Sequence, residues 1–420
     1  MCDFERILSF KQYTPTWRKH RKMLHQEMGT KRIASQFQDV QDRESRRLLF
    51  KIIKGPQTIA THIKTMTASI ILKMTYGYNV DPHQPDPLVD LIERMMDNNS
   101  KVFVPMSWVV DILPCLRYLP SWLPGMGFKT TAQEWRKINH QVADVPYNFA
   151  EKQLKKGENR SSYVSKKILE ETGFGTREID PDVEEVIKWS AAIIYGGGAD
   201  TTAATISAFF LAMAMFPDVQ KTAQREIDTV VGSDRLPGVQ DQENLPYISA
   251  LIKETLRWFP LTPMGVGHLT DDEVHYEGYV IPKHSVILPA TWWLHHDPEV
   301  YSNPDAFEPE RFLPPREELD PRQTAFGYGR RTCPGRFLAD VTLFLTLSRV
   351  LSVFTIRTAT DALGKPIEVQ RQFLPGLVTH LAEFPLAVVP RSRTHKVLIE
   401  EIEQQTPWES GDIESLNFQT

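Results

Sequence analysis

Apolar residues recur at helical spacing through the first two-thirds of the chain. This spacing predicts helices over residues 37–53, 59–74, 88–96 and 135–154. An earlier helix is predicted to begin at Thr14-Pro15, because threonine caps a helix and proline suits its first turn. The pattern indicates a helical protein over this part of the chain.

One segment is apolar almost throughout. Between Ser190 and Phe216 the only charged residue is Asp200. A membrane span and a helix buried inside a soluble protein share this pattern, but the Ala- and Thr-rich composition and three consecutive glycines favour the buried helix. Asp180-Pro181 predicts its start and Phe216-Pro217 its end. Two further helices are predicted over residues 219–231 and 247–259.

The pattern changes after Pro260. Short strands are predicted over residues 275–281, 285–288, 354–357, 366–369 and 386–389, and an apolar helix over residues 337–354. No repeat or linker divides the chain, which predicts one domain over residues 1–390, mainly α with a small β portion. Residues 391–420 are polar and acidic, which predicts a disordered tail.

Composition excludes several classes of protein. The 420 residues are 41% hydrophobic with a net charge of −5, which is typical of a packed globular protein and gives no electrostatic footprint for nucleic acid. The three cysteines, Cys2, Cys115 and Cys333, are far apart, which argues against a thiolate zinc site or a disulfide framework. Residues 1–16 carry no apolar signal or anchor pattern.

A single cysteine lies in the loop before the last apolar helix. The loop reads Phe-Gly-Tyr-Gly-Arg-Arg-Thr-Cys-Pro-Gly-Arg from Phe326 to Arg336. Free N–H groups and the helix dipole at such a helix start favour a thiolate at Cys333, and Arg331 adds positive charge. Gly335 permits the close approach of a flat group. A lone thiolate suits axial ligation of haem iron, although such a cysteine could also simply cap a helix.

This loop, F-x-x-G-x-R-x-C-x-G, resembles the haem-binding loop of the cytochrome P450 family. The resemblance implies the P450 fold, with haem b (heme b) held by Cys333 as the axial metal ligand. It also implies that Phe326, Arg331 and Gly335 contact the cofactor. The implied activity is that of a haem-thiolate monooxygenase, which inserts one oxygen atom from O2 into a small apolar substrate.

The glycines of the apolar helix are followed by an acid and an alcohol, Asp200-Thr201. Glycine is unfavourable inside a helix, so the segment predicts a widened or kinked helix. It is similar to the oxygen-activation segment of the family. The resemblance implies that Thr201 hydrogen-bonds dioxygen and that Asp200 helps to deliver protons through water.

Three charged residues match two further family motifs. Glu254 and Arg257 lie one helical turn apart, where they can pair, and Arg311 follows in Pro-Glu-Arg-Phe. By resemblance they form a buried charge network that fixes the segment carrying the cysteine loop. Its role would be structural.

Cations that meet the haem propionates are implied at three positions. Trp17-x-x-x-Arg21 matches the family's W-x-x-x-R, whose Trp and Arg contact a propionate. His268 lies where the family often places another propionate ligand, and Arg331 is the third anchor. Buried carboxylates require such neutralisation.

The resemblance also implies partners and a location. NADPH-cytochrome P450 reductase would dock on a basic face, although an ordinary solvated surface explains these charges too. This basic face consists of Arg18, Lys19, Lys22, Lys31 and Arg32. The family is expected at the endoplasmic reticulum membrane. Because only sixteen residues precede Trp17, we expect this chain to lack the membrane anchor and part of the β-sheet, which leaves a cytoplasmic or peripheral location open.

The sequence of the cysteine loop and the Trp292-Trp293 pair are similar to those of fungal family members that act on secondary metabolites, such as terpenoids or polyketides. Candidate pocket residues, which core packing explains equally well, are Ile193, Ile194, Leu261, Met264 and Leu374. Two alternatives remain open at this stage. One is a truncated, non-catalytic product with impaired haem binding, and the other is a haem isomerase or peroxide-driven enzyme.

Overall fold

The computed structural model describes residues 1–104, 106–158, 160–173 and 177–418. Within these residues the α-helices are α1 (Pro15–Met28), α2 (Lys31–Ala34), α3 (Gln38–Lys54), α4 (Ile59–Tyr76), α5 (Pro87–Val102), α6 (Val109–Ile112), α7 (Gly127–Lys155), α8 (Tyr163–Glu171), α9 (Pro181–Met215), α10 (Pro217–Val230), α11 (Pro246–Trp258), α12 (Thr291–His296), α13 (Arg322–Ala325), α14 (Arg336–Val353) and α15 (Arg393–Gln405). The strands are β1 (His268–Leu269), β2 (Val274–Tyr276), β3 (Tyr279–Ile281), β4 (Val286–Ile287), β5 (Phe354–Thr358), β6 (Phe373–Leu374), β7 (His380–Leu381) and β8 (Leu386–Pro390). The expected fold class, mainly α with a small β portion, is confirmed.

Helix α9 forms the centre of the core. It begins where the sequence predicts, because the Asp180 carboxylate accepts a hydrogen bond from the Asp182 N–H at 2.8 Å. The helix packs against α4, α5, α7, α8 and α14. Among the described residues it is the one helix long and apolar enough to cross a membrane, and 67% of its most apolar stretch is buried inside the fold. That burial is what a core helix requires.

The consecutive glycines of α9 have different surroundings. A Cβ on Gly198 would lie 2.5 Å from Cδ1 of Ile71, so glycine is needed for the close approach of α4. A Cβ on Gly197 would meet nothing within 4 Å, and this residue is exposed although its neighbours in the helix are largely buried. The helix is continuous through the segment, and the widening or kink that the glycines predict stays a prediction. One face of α9 is therefore closely packed while Gly197 borders open space.

The strands form antiparallel pairs. Two of the strands predicted from the sequence differ in the structure. Residues 275–281 form the hairpin β2–β3 rather than one strand, because Glu277 and Gly278 both adopt positive φ (47° and 82°) and turn the chain. Residues 366–369 form no strand and contribute only an isolated bridge from Pro366 to Thr360. The other pairs are β1–β4, β5–β8 and β6–β7.

The acidic segment after Pro390 is helical rather than a disordered tail. Ile399 and Ile402 of α15 are buried against the core. The ring of Trp408 lies 4.5 Å from the Arg47 guanidinium, and the acidic side chain of Glu409 pairs with Lys73 at 2.8 Å. Composition predicted disorder because it does not show that the acidic groups face cations from the earlier helices.

A buried charge network joins α11 to the long irregular segment that follows α12. The side chains of Glu254, Arg257 and Arg311 are 0% exposed. Arg257 pairs with Glu254 at 2.8 Å, and Nε of Arg311 lies 3.0 Å from the same carboxylate. Burial raises the pKa of Glu254, and the two arginines counteract this only in part. Arg311 also pairs with Glu318 at 2.8 Å.

The guanidinium group of Arg257 also binds main-chain carbonyl groups at the end of α12 and in that segment. Arg257 donates to the carbonyl oxygens of His295 and Pro304 at 2.8 Å and of Ala306 at 2.9 Å. The ring of His295 then contacts the hydroxyl of Thr324 at 2.7 Å, two residues before the cysteine loop begins. The network thus fixes the backbone on which that loop rests.

We expect Glu254→Gln to lower the free energy of unfolding by about 3–5 kcal/mol. The substitution keeps the shape and a hydrogen-bond acceptor, but it removes the negative charge that Arg257 and Arg311 share and leaves the buried Arg257 with no carboxylate partner among the described residues. Urea denaturation followed by circular dichroism measures the loss. The control is Glu299→Gln on the exposed surface nearby, which should change stability by no more than about 0.5 kcal/mol. Equal effects of the two substitutions would contradict a stabilising network.

Candidate functional site

The cysteine loop folds back on itself before α14. The Cys333 N–H donates to the Phe326 carbonyl at 2.7 Å. Gly327 and Gly329 adopt positive φ of 73° and 51°, which L side chains rarely adopt, and this explains the glycines of the motif. The loop delivers Cys333 three residues before the first residue of α14, and Cys333 is solvent-accessible.

The electrostatics of the thiol differ from the sequence expectation. Burial raises the pKa of Cys333, and the N–H groups of Gly335 and Arg336 and the charge of Arg21 counteract it only in part. The N–H groups at the helix start favour the thiolate, as the sequence predicts, but burial outweighs them, so the chain alone does not. A coordinated metal ion would, because a coordinating thiol is deprotonated outright.

Helix α1 brings an aromatic residue and one cation to the cysteine loop, and the loop itself contributes a second cation. Arg21 donates to the Thr332 carbonyl at 2.8 Å, and the Arg331 guanidinium lies 4.5 Å from the ring centre of Trp17. The indole Nε1 of Trp17 is buried, and no group within the described residues hydrogen-bonds to it. A buried donor without a partner costs about 1–3 kcal/mol. This donor and two guanidinium groups beside an accessible cysteine form a site for an anionic group.

The remaining cofactor-binding candidates have looser surroundings. His268 lies on β1 opposite Ile287, and in the described part of the chain no hydrogen bond or ion pair joins it to Arg331. Its propionate role therefore stays a prediction. Phe326 is partly buried against the core. A Cβ on Gly335 would lie 3.9 Å from the Cys333 sulfur, an ordinary contact.

The acid and the alcohol lie side by side on α9. The Thr201 hydroxyl donates to the Gly197 carbonyl at 2.6 Å, within the helix turn that borders open space. Asp200 is mostly buried, and its Oδ1 lies 2.9 Å from Nε2 of His380 on β7. The sequence analysis missed His380. No local pattern marks it, because only the β6–β7 hairpin brings it to α9.

The candidate pocket residues separate into two groups. Ile194 is buried in the core and Ile193 and Leu261 are partly buried against it, so packing explains all three. Met264 and Leu374 are 55% and 46% exposed and are available to a ligand.

Haem fits these residues. The accessible Cys333 supplies the soft sulfur ligand that iron accepts. The unpaired Trp17 donor and the two neighbouring guanidinium groups, of Arg21 and Arg331, match the needs of carboxylate groups. Elsewhere in the described residues no group of three or more His, Cys, Asp and Glu side chains could hold a metal ion.

Comparisons with known proteins agree with this fit. The family model for cytochrome P450 matches residues 3–381. A cytochrome P450 monooxygenase of Gibberella zeae is 45% identical over 99% of this chain and 79% of its own length. A multifunctional cytochrome P450 monooxygenase of Aspergillus fumigatus is 43% identical over 96% of this chain and 76% of its own length.

A third relative has a substrate in its name. The O-methylsterigmatocystin oxidoreductase of Aspergillus flavus is 36% identical over 99% of this chain and 78% of its own length. The family model covers most of the chain, and the relatives are similar over nearly all of it. The chain therefore belongs to the cytochrome P450 family and is a monooxygenase of that family.

Proposed function

We propose that this P450 inserts one oxygen atom from O2 into an apolar small molecule, a fungal secondary metabolite of the terpenoid or polyketide class. The observation that carries the proposal is the accessible Cys333 next to Trp17, Arg21 and Arg331, which together provide a sulfur ligand and anion-binding donors. The fungal relatives support the metabolic setting, one of them named for the oxidation of O-methylsterigmatocystin.

When bound, haem supplies the iron that activates O2, and Cys333 supplies the axial thiolate. The chain's own residues bind and orient the cofactor. Arg21 and Arg331 neutralise its propionates, His268 adds a third contact, and the indole N–H of Trp17 gains the partner it lacks. Phe326 and Gly335 belong to the loop that would contact the cofactor.

Two residues of α9 handle protons. The Thr201 hydroxyl donates to a helix carbonyl and can turn to hydrogen-bond O2, which does not cost the helix a backbone hydrogen bond. The Asp200 carboxylate next to it can pass protons from the protein surface through water. Both groups belong to one turn of a rigid helix, so their relative position is fixed.

The apolar character of the substrate rests on the side chains available to it. Met264 and Leu374 are accessible and apolar, and neither carries a charge that would select an ionic ligand. The described residues and the relatives lend no support to the non-catalytic alternative, since the cysteine loop, the acid–alcohol pair and the cation cluster are all present.

The first test is optical. We expect the reduced protein with carbon monoxide to give the red-shifted Soret band of haem-thiolate ligation, and Cys333→Ala to abolish it, because the substitution removes the sulfur ligand. The control is Cys115→Ala, a substitution of an exposed cysteine outside the site, which should leave the band unchanged. A red-shifted band that survives Cys333→Ala, or no band even with added haem, would contradict the proposal.

The reaction itself separates monooxygenation from isomerisation or peroxide-driven chemistry. Substrate turnover should require NADPH and reductase, and Thr201→Ala should lower product formed per NADPH by about tenfold or more, because a proton-handling group contributes at least this much. Product analysis by mass spectrometry in 18O-labelled O2 measures incorporation of one labelled atom. Turnover without NADPH that is insensitive to Thr201→Ala would favour the alternative.

We further propose that NADPH-cytochrome P450 reductase docks on the basic face. All five side chains of this face are exposed, and within the described residues none forms an ion pair. The face continues to the cysteine loop, because the guanidinium groups of Arg18 and Arg330 lie 5.2 and 4.4 Å from the same Tyr13 ring. An acidic partner guided there would lie close to the cysteine side of the cofactor.

We expect Lys19→Glu/Lys22→Glu to lower the second-order rate of haem reduction by the reductase about tenfold at low ionic strength. The difference should shrink as salt screens the charges. Stopped-flow reduction under carbon monoxide measures the rate. Lys137→Glu on α7 changes an exposed lysine outside the basic face and is the control. If both substitutions slow reduction equally, the basic face is not the docking surface.

For location, we propose that the protein contacts a membrane surface, in keeping with its membrane-associated relatives. Apolar side chains between α5 and α7 are exposed where they could enter a lipid interface. This apolar segment comprises Met106, Ile112, Leu113, Tyr118 and Trp122, which are 72%, 56%, 51%, 75% and 79% exposed. Aromatic residues prefer such interfaces.

Binding to phosphatidylcholine vesicles tests this location. Tyr118→Ser/Trp122→Ser should weaken partitioning by about tenfold or more, since two large apolar side chains are lost. Co-sedimentation with vesicles measures the bound fraction. Leu363→Ser, at a side chain that is 92% exposed elsewhere, should have little effect. Unchanged partitioning of the double variant would exclude the apolar segment as the contact.

A further inference from the structure

One histidine outside the recognised motifs contacts the acid of α9. Nε2 of His380 lies 2.9 Å from Oδ1 of Asp200, although the two residues are 180 positions apart. The side chains are 28% and 12% exposed. His380 is thus partly accessible to solvent, while Asp200 is almost enclosed.

The place of His380 in the fold connects two functions. It pairs with Leu374 across the β6–β7 hairpin, and Leu374 is one of the accessible apolar candidates for substrate contact. The next residue back, Thr379, donates its N–H to the Leu261 carbonyl at 2.7 Å. A single side chain on the hairpin that borders the substrate pocket therefore holds the proton-handling carboxylate.

The other oxygen of that carboxylate has a different environment. Oδ2 of Asp200 is buried and accepts no hydrogen bond from the part of the chain that the structure describes. A cavity of about 10 Å³ adjoins Asp200, which is space on the scale of one water molecule. Its lining includes Lys64 and Glu93, which pair with each other at 2.9 Å and are 43% and 37% exposed. Asp200 is therefore held through Oδ1, and the small cavity next to it is also lined by two partly exposed charged residues.

The charged groups around His380 come from three helices. They are Asp200 of α9, Lys64 of α4 and Asp97 of α5. Burial lowers the pKa of His380, but the hydrogen bond and the charge of Asp200 outweigh burial, and the pKa is raised above 6.5. The sign follows directly: the imidazolium–carboxylate pair is complete below that raised pKa and is lost as the pH rises through it.

We propose that His380 is the positioning residue for Asp200 and that it couples the substrate hairpin to proton delivery on α9. This inference rests on the proposed monooxygenase function. As an imidazolium, His380 holds the carboxylate in one orientation with Oδ2 directed away from it. Movement of the β6–β7 hairpin when substrate binds would displace His380 from Asp200. Loss of the imidazolium proton at higher pH would weaken the contact between them.

The first test measures the pairing without any turnover. The reduced, carbon-monoxide-bound holoprotein is diamagnetic, so its histidines can be titrated by NMR. The chain has 12 histidines, and the His380 resonance is the one that disappears in His380→Gln. We expect its pKa to lie above 6.5 and to fall below 6.5 in Asp200→Asn, because burial then dominates. His275, in an exposed pair with Glu273 at 3.0 Å, is the internal control and should titrate unchanged.

The second test measures coupling. His380→Phe should lower the product formed per NADPH by about tenfold, the low end for loss of a residue that orients a functional group, with the lost electrons recovered as hydrogen peroxide. His380→Gln should restore much of the coupling, since it can hydrogen-bond Asp200, but should remove the pH dependence that His380 causes. His275→Gln should match the unmodified protein.

The outcomes distinguish this inference from the proposed function. The inference would be overturned, and the function left intact, if the Soret band with carbon monoxide is normal and the pKa of His380 does not change in Asp200→Asn. Unchanged coupling in His380→Phe would overturn it as well. Absence of the Soret band would instead contradict the function, while the NMR titration of the chain would still report whether the pair exists.

Discussion

The buried network around Glu254 is the interaction on which the rest of the site depends. Two arginine side chains with no exposure share one carboxylate, and Arg257 uses its remaining donors to bind carbonyl groups of a segment that lacks regular structure. A segment without regular structure cannot pair all of its backbone groups within a helix or sheet. The buried guanidinium of Arg257 therefore supplies hydrogen bonds to its carbonyl groups. Through the contact of His295 with Thr324, the order imposed there reaches the cysteine loop.

Helix α9 has to satisfy two requirements along the same stretch. Its closely packed side needs glycine at position 198, because a Cβ there would clash with Ile71 of α4. Its open side carries the exposed Gly197 and the Thr201 hydroxyl. A long helix packed against other helices along its length is rigid, so the chemistry it carries is positioned by the core itself. Adjustable parts, such as the β6–β7 hairpin, must then act from outside the helix.

Sequence reasoning predicted most helices to within a few residues, because periodicity and proline or cap signals are local properties. It failed where long-range contacts decide. The acidic segment after Pro390 folds because Lys73 and Arg47 lie nearby, which no local pattern records. In the site, motif residues were found by resemblance, whereas His380 was missed because it follows no motif and reaches Asp200 only through strand pairing. The turn at Glu277 was missed because a hairpin of three-residue strands resembles one longer strand.

The electrostatics of the site are incomplete in the chain alone. Among the described residues the buried indole N–H of Trp17 has no partner and no carboxylate pairs with Arg21 or Arg331, while burial raises the pKa of the Cys333 thiol. The unpaired indole costs folding free energy, and a group that carries both a metal ion and carboxylates would give all four side chains a partner. Because such a group binds the folded chain and not the unfolded one, its binding energy adds to stability. Binding of the cofactor and folding are therefore linked through the same four side chains.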